Sequence, residues 1–168
     1  MNALVELGLR KGLTDLIVLH EHRGQPDGMV VCHLPVGPTF YFGLQNVVLR
    51  HDVAEKVKNM PEIYPHLVFH NFKTNLGQRV QTALQHLFPV AKADSQRVVT
   101  FANKEDIISF RHHTYEKTSY KDVNLVELGP RFELKLYQIS LGLIHHKEAT
   151  KEWVLRPYMN TANKRHAL

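Results

Sequence analysis

The chain has 168 residues, of which 43% are hydrophobic, and this is enough for one domain or two small halves with a packed core. The composition excludes a disordered chain, and no apolar run approaches the roughly eighteen residues of a membrane span. The formal net charge is +5: residues 91–168 hold thirteen Lys/Arg against nine Asp/Glu, and residues 1–90 hold eight against seven. The excess of cations in the second half is compatible with an anionic partner.

The patterns in the first half predict one helix followed by strands. Apolar residues recur over 2–11 and Gly12 follows them, which predicts a helix with a defined end. The continuous apolar run 15–20 predicts a strand buried on both faces. Turn formers at 23–28 separate it from a second strand, so the two form a hairpin. The strands predicted after the turn are 29–34, 39–42 and 47–49.

The lone cysteine, Cys32, lies in the apolar run that forms this second strand, so we expect a buried and inert thiol. A single cysteine excludes an intramolecular disulfide, which suits a reducing compartment such as the cytosol or nucleus.

The patterns in the second half predict one helix with strands before and after it in the sequence. The polar stretch 51–65 predicts a linker between two halves. Beyond it, apolar residues at helical spacing predict an amphipathic helix over 75–87, capped by Thr74 or Asn75. The remaining segments predict strands, the later ones forming an antiparallel meander: 66–72, 97–101, 107–117, 123–128 and 131–141. Two units of mixed strands with one helix each predict an α/β (mixed αβ) fold.

The strand after the Gly129–Pro130 turn carries the first candidate site. Its side chains alternate between the two faces of the predicted sheet. The inward ones are apolar, and the outward ones are Arg131, Glu133, Lys135 and Tyr137. Cations neutralise phosphates and aromatic rings stack on bases, so this face suits a nucleic acid. The alternative is an ordinary solvated strand face in which Glu133 balances one cation.

The segment 107–117 carries a second polar face, formed by Arg111, His113, Tyr115 and Lys117. If this strand neighbours 131–141, the two faces merge into one basic and aromatic surface, and nucleic-acid binding becomes the favoured interpretation. Such a surface binds backbone and shape more than base sequence. Lys164 and Arg165 near the end of the sequence are further candidate RNA contacts, although a solvated, frayed terminus is the simpler account of that tail.

Catalytic and metal sites are not favoured by the sequence. None of the twelve histidines stands at a zinc-site spacing with cysteine, and His20 and His22 supply only the start of a ligand set. The sequence has no nucleophile elbow, P-loop or dinucleotide-binding motif. Ser109 and His112 would face opposite sides of a strand, and Glu105–Asp106 reads as a pair of solvated charges in a turn. We therefore expect no enzyme activity, no cofactor and no metal.

At 129–137 the sequence Gly-Pro-Arg-Phe-Glu-Leu-Lys-Leu-Tyr resembles the signature of the Brix domain family. Other segments extend the resemblance over nearly the whole chain: 15–24, 33–39, 87–90, 101–103 and 108–115. Residues 20–24 and 158–165 favour the branch of the family that works with the U3 small nucleolar RNA over the large-subunit members.

The resemblance implies two pseudo-repeated halves, each similar to the anticodon-binding domain of certain aminoacyl-tRNA synthetases. It divides the chain into the C-terminal part of the first half (1–64), the second half (65–155) and a basic C-terminal tail (156–168). Family members normally begin with a strand-helix-strand unit before the helix at 2–11. This sequence has no such unit, so the first half is incomplete and we expect an exposed sheet edge with an apolar patch.

The resemblance also implies a function. Brix proteins are non-enzymatic ribosome biogenesis factors. The U3-associated branch works in the small-subunit processome of the nucleolus, where it helps U3 RNA pair with the pre-rRNA and supports early small-subunit rRNA processing. Its implied partners are these two RNAs, an acidic M-phase phosphoprotein scaffold and a protein resembling ribosomal protein S-four. The family's RNA-binding motif falls at 131–141. The alternative is a protein-interaction module that docks the acidic scaffold, with RNA contacts made mainly by partners.

Overall fold

The computed structural model describes residues 1–53, 60–119, 122–146, 148–157 and 167–168. Within these residues the chain forms two α-helices and nine strands, together with a short 3-10 turn at Arg50–Asp52. It divides into two compact units. Unit 1 comprises Met1–Gln45 and Lys135–Arg165, and unit 2 comprises Asn46–Leu134 and His166–Leu168.

Unit 1 is built on antiparallel strands. Its elements are α1 (Asn2–Arg10), β1 (Asp15–His22), β2 (Gln25–His33), β3 (Thr39–Val48) up to Gln45, β8 (Arg131–Ser140) from Lys135 onward, and β9 (Lys151–Val154). The strand order is β1-β2-β3-β8, and β9 pairs with β8. The segments predicted at 39–42 and 47–49 belong to the single strand β3, whose pairing with β2 extends as far as Gly43.

Helix α1 lies against a small apolar cluster of unit 1. Val5 packs there with Cys32 and Leu143, and Cys32 is fully buried. The predicted burial of the thiol is therefore confirmed. The helix ends before Gly12, which takes a φ of 66° that a residue with a side chain rarely adopts.

Strand β1 is an edge strand, and the prediction that it is buried on both faces is wrong. It ends the strand order of unit 1, and Ile17 and Leu19 are 50% and 62% exposed. An apolar run predicts a strand but does not determine whether the strand has a neighbour on each side. The expected exposed edge is confirmed by these side chains, and Leu4 and Leu7 of α1 are also exposed.

Unit 2 contains a mixed sheet and one helix. Its elements are β4 (His66–His70), α2 (Asn75–Gln85), β5 (Arg97–Lys104), β6 (Ile107–Lys117), β7 (Val123–Glu127) and the start of β8. The strand order is β8-β6-β5-β4, and β7 also pairs with β6. β4 and β5 are parallel, whereas β5–β6 and β6–β7 are antiparallel.

The predicted antiparallel meander is correct as far as β7 and wrong after it. β8 does not fold back onto β7, because both strands pair with β6. The backbone N–H of Leu128 donates to the carbonyl of His112 at 2.9 Å, so the chain stays beside β6 as it leaves β7. The Gly129–Pro130 turn therefore shifts the chain along β6 instead of reversing it.

An aromatic layer covers one face of the unit 2 sheet. Phe101 stacks on Phe69 at 5.1 Å between ring centroids and meets Phe110 edge-on at 5.3 Å. Phe110 in turn stacks on Phe132 of β8 at 4.4 Å. Helix α2 contributes fully buried apolar side chains such as Val80 to the core, and the Thr74 hydroxyl caps it by accepting from the Gly77 N–H, as predicted.

The mixed αβ fold class is confirmed. The predicted boundaries 1–64, 65–155 and 156–168 refer to pseudo-repeated halves of a family, which the grouping into compact units does not test, so they stay a prediction. Within the described ranges, the structure has no helix of the length and apolar character that a membrane crossing requires.

Candidate nucleic-acid interface

The sheet of unit 2 has a second face opposite the aromatic layer, and its described side chains are partly or fully exposed. Strand pairing sets Thr100 beside Arg111 and His113 beside Glu127, and paired residues project from the same face. With the period of two along each strand, we define the open face by Thr100, Ser109, Arg111, His113, Tyr115, Lys117 and Glu127. The prediction that Arg111, His113, Tyr115 and Lys117 share one side of their strand is confirmed.

The start of β8 adds Arg131 and Glu133 to the open face. Arg131 Nη1 lies 2.8 Å and 3.1 Å from the two carboxylate oxygens of Glu127. Glu133 Oε1 lies 3.9 Å from Arg111 Nη2. The expected adjacency of the two strands is thus confirmed, and Arg111 and Arg131 belong to the same face of unit 2.

Both arginines are held in place and yet remain accessible. Their side chains are 35% and 40% exposed, and the paired glutamates are 22% exposed. Arg111 Nη1 also donates to the carbonyl of Phe110 at 2.9 Å. A guanidinium carries several N–H donors in a planar fork, so one carboxylate does not exhaust it. The face can therefore offer oriented donors to an anion such as a phosphate.

The sequence predicted Glu133 as a counter-charge but missed Glu127. Glu133 pairs with Arg111 and also accepts from Asn46 Nδ2 at 2.8 Å. Glu127 pairs with Arg131 across the Gly129–Pro130 turn. The available signal was the acid placed four residues before Arg131, which becomes informative only once the path of the turn is known.

Tyr115 and His113 contribute fixed rings and no formal charge to the open face. The Tyr115 hydroxyl donates to the carbonyl of Ser95 at 2.9 Å, so the ring has a defined orientation. Burial lowers the pKa of His113, with Arg111 lowering it further and Glu127 opposing the change. His113 is therefore a neutral hydrogen-bonding group at neutral pH.

The other predicted contacts do not belong to unit 2 or are not described. Lys135 and Tyr137 lie in unit 1. Lys135 is partly buried and takes part in interactions within the chain. Tyr137 is 45% exposed, and a Cβ at Gly43 would lie 2.5 Å from its Cε2, so the ring lies over this glycine. Lys164 and Arg165 fall outside the described residues.

A buried hydrogen-bond network behind the open face joins Arg97, His112 and Gly129, and we call it the relay. The sequence reasoning missed it. His112 is 4% exposed, accepts at Nε2 from Arg97 Nε at 2.8 Å, and has Nδ1 2.8 Å from the carbonyl of Gly129. Because Nε2 accepts, the ring proton lies on Nδ1 and is donated to Gly129. Arg97 Nη1 also donates to the carbonyl of Ile63 at 2.8 Å. The relay thus connects β5 and β6 with the turn from which Arg131 emerges.

His20 and His22 of unit 1 suggested the start of a metal site, but His20 contacts an acidic side chain instead. His20 Nδ1 lies 2.6 Å from Asp27 Oδ1 across the β1–β2 hairpin. This contact lowers the pKa of Asp27. Across the described ranges, no three histidine, cysteine or acidic side chains come together in a way that could hold an ion.

Comparison with known proteins decides the family. The model of the Brix domain family matches residues 2–138, which include every described candidate residue. The chain belongs to the Brix domain family. The match ends before Lys164 and Arg165.

Named relatives of this Brix domain confirm the predicted branch. The chain is 56% identical over 167 residues to the human U3 small nucleolar ribonucleoprotein protein IMP4, covering 98% of the chain and 57% of that protein. It is 54% identical over 159 residues to the Schizosaccharomyces pombe protein of the same name, covering 94% and 55%. The chain thus spans little more than half the length of these relatives.

A solved structure supports the fold. The crystal structure of a probable ribosomal biogenesis protein from Aeropyrum pernix matches 79% of the chain and 73% of its own length, with a TM-score of 0.50. The sequence identity is 14%, so this likeness concerns the architecture of the Brix domain alone.

Proposed function

We propose that this Brix domain acts as a non-enzymatic ribosome biogenesis factor of the U3 small nucleolar ribonucleoprotein, located in the nucleolus. Its role there is to assist pairing of U3 RNA with the pre-rRNA and early small-subunit rRNA processing. The relatives that support this carry the U3 ribonucleoprotein name and align with 98% of the chain. The proposed protein partners are the M-phase phosphoprotein scaffold and the S-four-like protein of the same particle.

We propose further that the open face binds RNA backbone through Arg111, His113, Tyr115, Lys117 and Arg131. The observation that carries this assignment is a pair of partly exposed arginines on one sheet face: Glu127 holds Arg131, and main-chain carbonyls hold Arg111 with Glu133 nearby. Side chains that are already oriented lose less conformational entropy when they bind. Lys135, Tyr137, Lys164 and Arg165 are further contacts in this proposal.

The two ion pairs favour backbone recognition over base reading. A phosphate oxygen can replace a glutamate oxygen at a guanidinium with little rearrangement, because both are anionic acceptors of similar geometry. The fixed Tyr115 ring offers a flat surface and no unused hydroxyl donor. These features suit a helical RNA recognised by its phosphates and shape.

The experiment is a fluorescence-anisotropy titration with a duplex of U3 and spacer RNA at several salt concentrations. Each phosphate contact that is lost should reduce the slope of log K against log salt by about one. Lys117→Ala and Arg131→Ala should each weaken binding and flatten this slope. Lys92→Ala removes the same charge as Lys117→Ala from an exposed loop of unit 2 and should leave the slope unchanged. Equal slopes in all four proteins would exclude the open face as the RNA site.

A second candidate function rests on the exposed edge of unit 1. β1 ends the strand order, and Ile17 and Leu19 project from it half-exposed or more. An extended peptide of an acidic scaffold could add to this edge as a strand. Leu19→Gln should then weaken scaffold binding and leave RNA affinity unchanged. Val36→Gln, which alters a side chain that is 76% exposed elsewhere in unit 1, is the matched control.

A further inference from the structure

The turn between β5 and β6 binds a distant part of the chain. The carboxylate oxygens of Asp106 accept from the backbone N–H of Ala167 at 2.8 Å each, and Oδ1 accepts from Leu168 at 2.9 Å. The prediction of a solvated Asp106 is therefore wrong, and the alternative of a frayed tail does not hold for Ala167 and Leu168. Sequence reasoning missed the contact because every residue except proline has the same main-chain N–H donor, so residue type does not reveal which one is used.

The start of α2 provides the other side of this contact. The Thr74 hydroxyl accepts from the Gly77 N–H at 2.9 Å and donates to the carbonyl of Ala167 at 2.7 Å. It therefore caps the helix and binds the distant segment at once. A Cβ at Gly77 would lie 3.0 Å from the carbonyl carbon of Leu168, so the segment occupies the space that a side chain would need.

Burial of Leu168 completes the arrangement. Leu168 is 4% exposed, although it lies outside any helix or strand. Every polar contact in this group is made to main-chain atoms of Ala167 and Leu168, and the apolar contact is made by one leucine. The charged acceptor strengthens the hydrogen bonds, since bonds to an ionised group are stronger than neutral ones.

We infer that Thr74, Gly77 and Asp106 form a tail-docking site on unit 2, whose occupant is the Ala167–Leu168 segment of this chain. The site recognises two successive main-chain N–H groups, one carbonyl and a leucine side chain. Docking joins two residues that follow β9 in the sequence to the start of α2 and to the β5–β6 turn.

The test is amide hydrogen exchange in the full chain, followed residue by residue by NMR. Asp106→Asn keeps the side-chain shape and suits the φ of 64° at this position, because asparagine tolerates the left-handed region. It removes the charge and turns one acceptor into a donor. The amides of Ala167 and Leu168 should exchange about tenfold faster or more, as expected for the loss of hydrogen bonds to a charged group. Glu105→Gln alters the adjacent exposed acid by the same charge and should leave both rates unchanged.

A second variant approaches the site from the helix. Gly77→Ala favours α2 by helix propensity but places a methyl group against Leu168. It should release the segment while the core amide of Ile108 stays protected, which separates undocking from unfolding. The inference is overturned if Ala167 and Leu168 keep wild-type exchange rates in both Asp106→Asn and Gly77→Ala. It is also overturned if Glu105→Gln accelerates them equally.

Discussion

The buried relay of Arg97, His112 and Gly129 makes a quantitative prediction about stability. The bond from Arg97 has a charged donor and contributes about 1.5–3 kcal/mol, and the neutral bond to Gly129 contributes about 1 kcal/mol. His112→Ala removes both and leaves the Gly129 carbonyl without this donor. We expect the free energy of unfolding, measured by urea denaturation, to fall by about 3 kcal/mol.

Two conservative variants separate the two bonds. His112→Gln places an acceptor near the position of Nε2, so it should keep the Arg97 bond and lose about 1 kcal/mol. His112→Asn places a donor near Nδ1, so it should keep the Gly129 bond and lose about 2 kcal/mol. The expected order of unfolding free energy is wild type, then Gln, then Asn, then Ala. An Ala variant within 1 kcal/mol of wild type would refute the reasoning.

The same relay predicts an acid-sensitive part of the stability. Burial lowers the pKa of His112 below its ordinary value of 6.5; the Gly129 bond opposes this, and the positive charges of Arg97 and Arg50 lower the pKa further. The unfolded chain therefore takes up the proton at higher pH than the folded one. This contribution is fully present above pH 6.5 and is lost as the pH falls through the lower folded pKa. His112→Gln should show a shallower loss of stability on acidification, and an unchanged pH profile would contradict the assignment.

Three smaller predictions follow from single contacts. Gly43→Ala should displace the Tyr137 ring and change its NMR chemical shifts, and unchanged shifts would mean that the ring does not lie over this glycine. Thr74→Val should destabilise unit 2 by about 1–2 kcal/mol in thermal or urea unfolding, whereas Thr74→Ser, which keeps the capping hydroxyl, should be close to wild type. Cys32 should react with a thiol reagent only at the rate of unfolding, because it is fully buried, and rapid labelling of the native protein would disagree with that burial.

Local patterns predicted most of the elements and the faces of the strands. The alternation in 107–117 and 131–141 assigned the open face correctly, because a side-chain period of two depends only on the strand itself. The Thr74 cap and α2 were likewise readable from helical spacing and one hydroxyl. Such features are set by residues that are close in sequence.

The features that sequence reasoning missed depend on contacts between distant residues. The exposure of β1 depends on which strands pair with it, and the placement of β7 and β8 depends on the path of one turn. The relay joins Arg97 to His112, and the tail-docking site joins Asp106 to Ala167. Neither pairing has a sequence signature, because many other histidines and acids in the chain stand in similar local contexts.

The measurement that tests the central claim most directly compares Arg131→Ala with Glu127→Gln in RNA binding at low salt. If the open face binds RNA, Arg131→Ala weakens binding, and Glu127→Gln strengthens it by roughly two- to fivefold, because it frees Arg131 and removes a negative charge. Glu62→Gln, which removes an exposed charge from a loop of unit 2, should have little effect. If Glu127→Gln and Arg131→Ala change the affinity no more than Glu62→Gln does, the ion pair is only structural and the RNA is bound elsewhere.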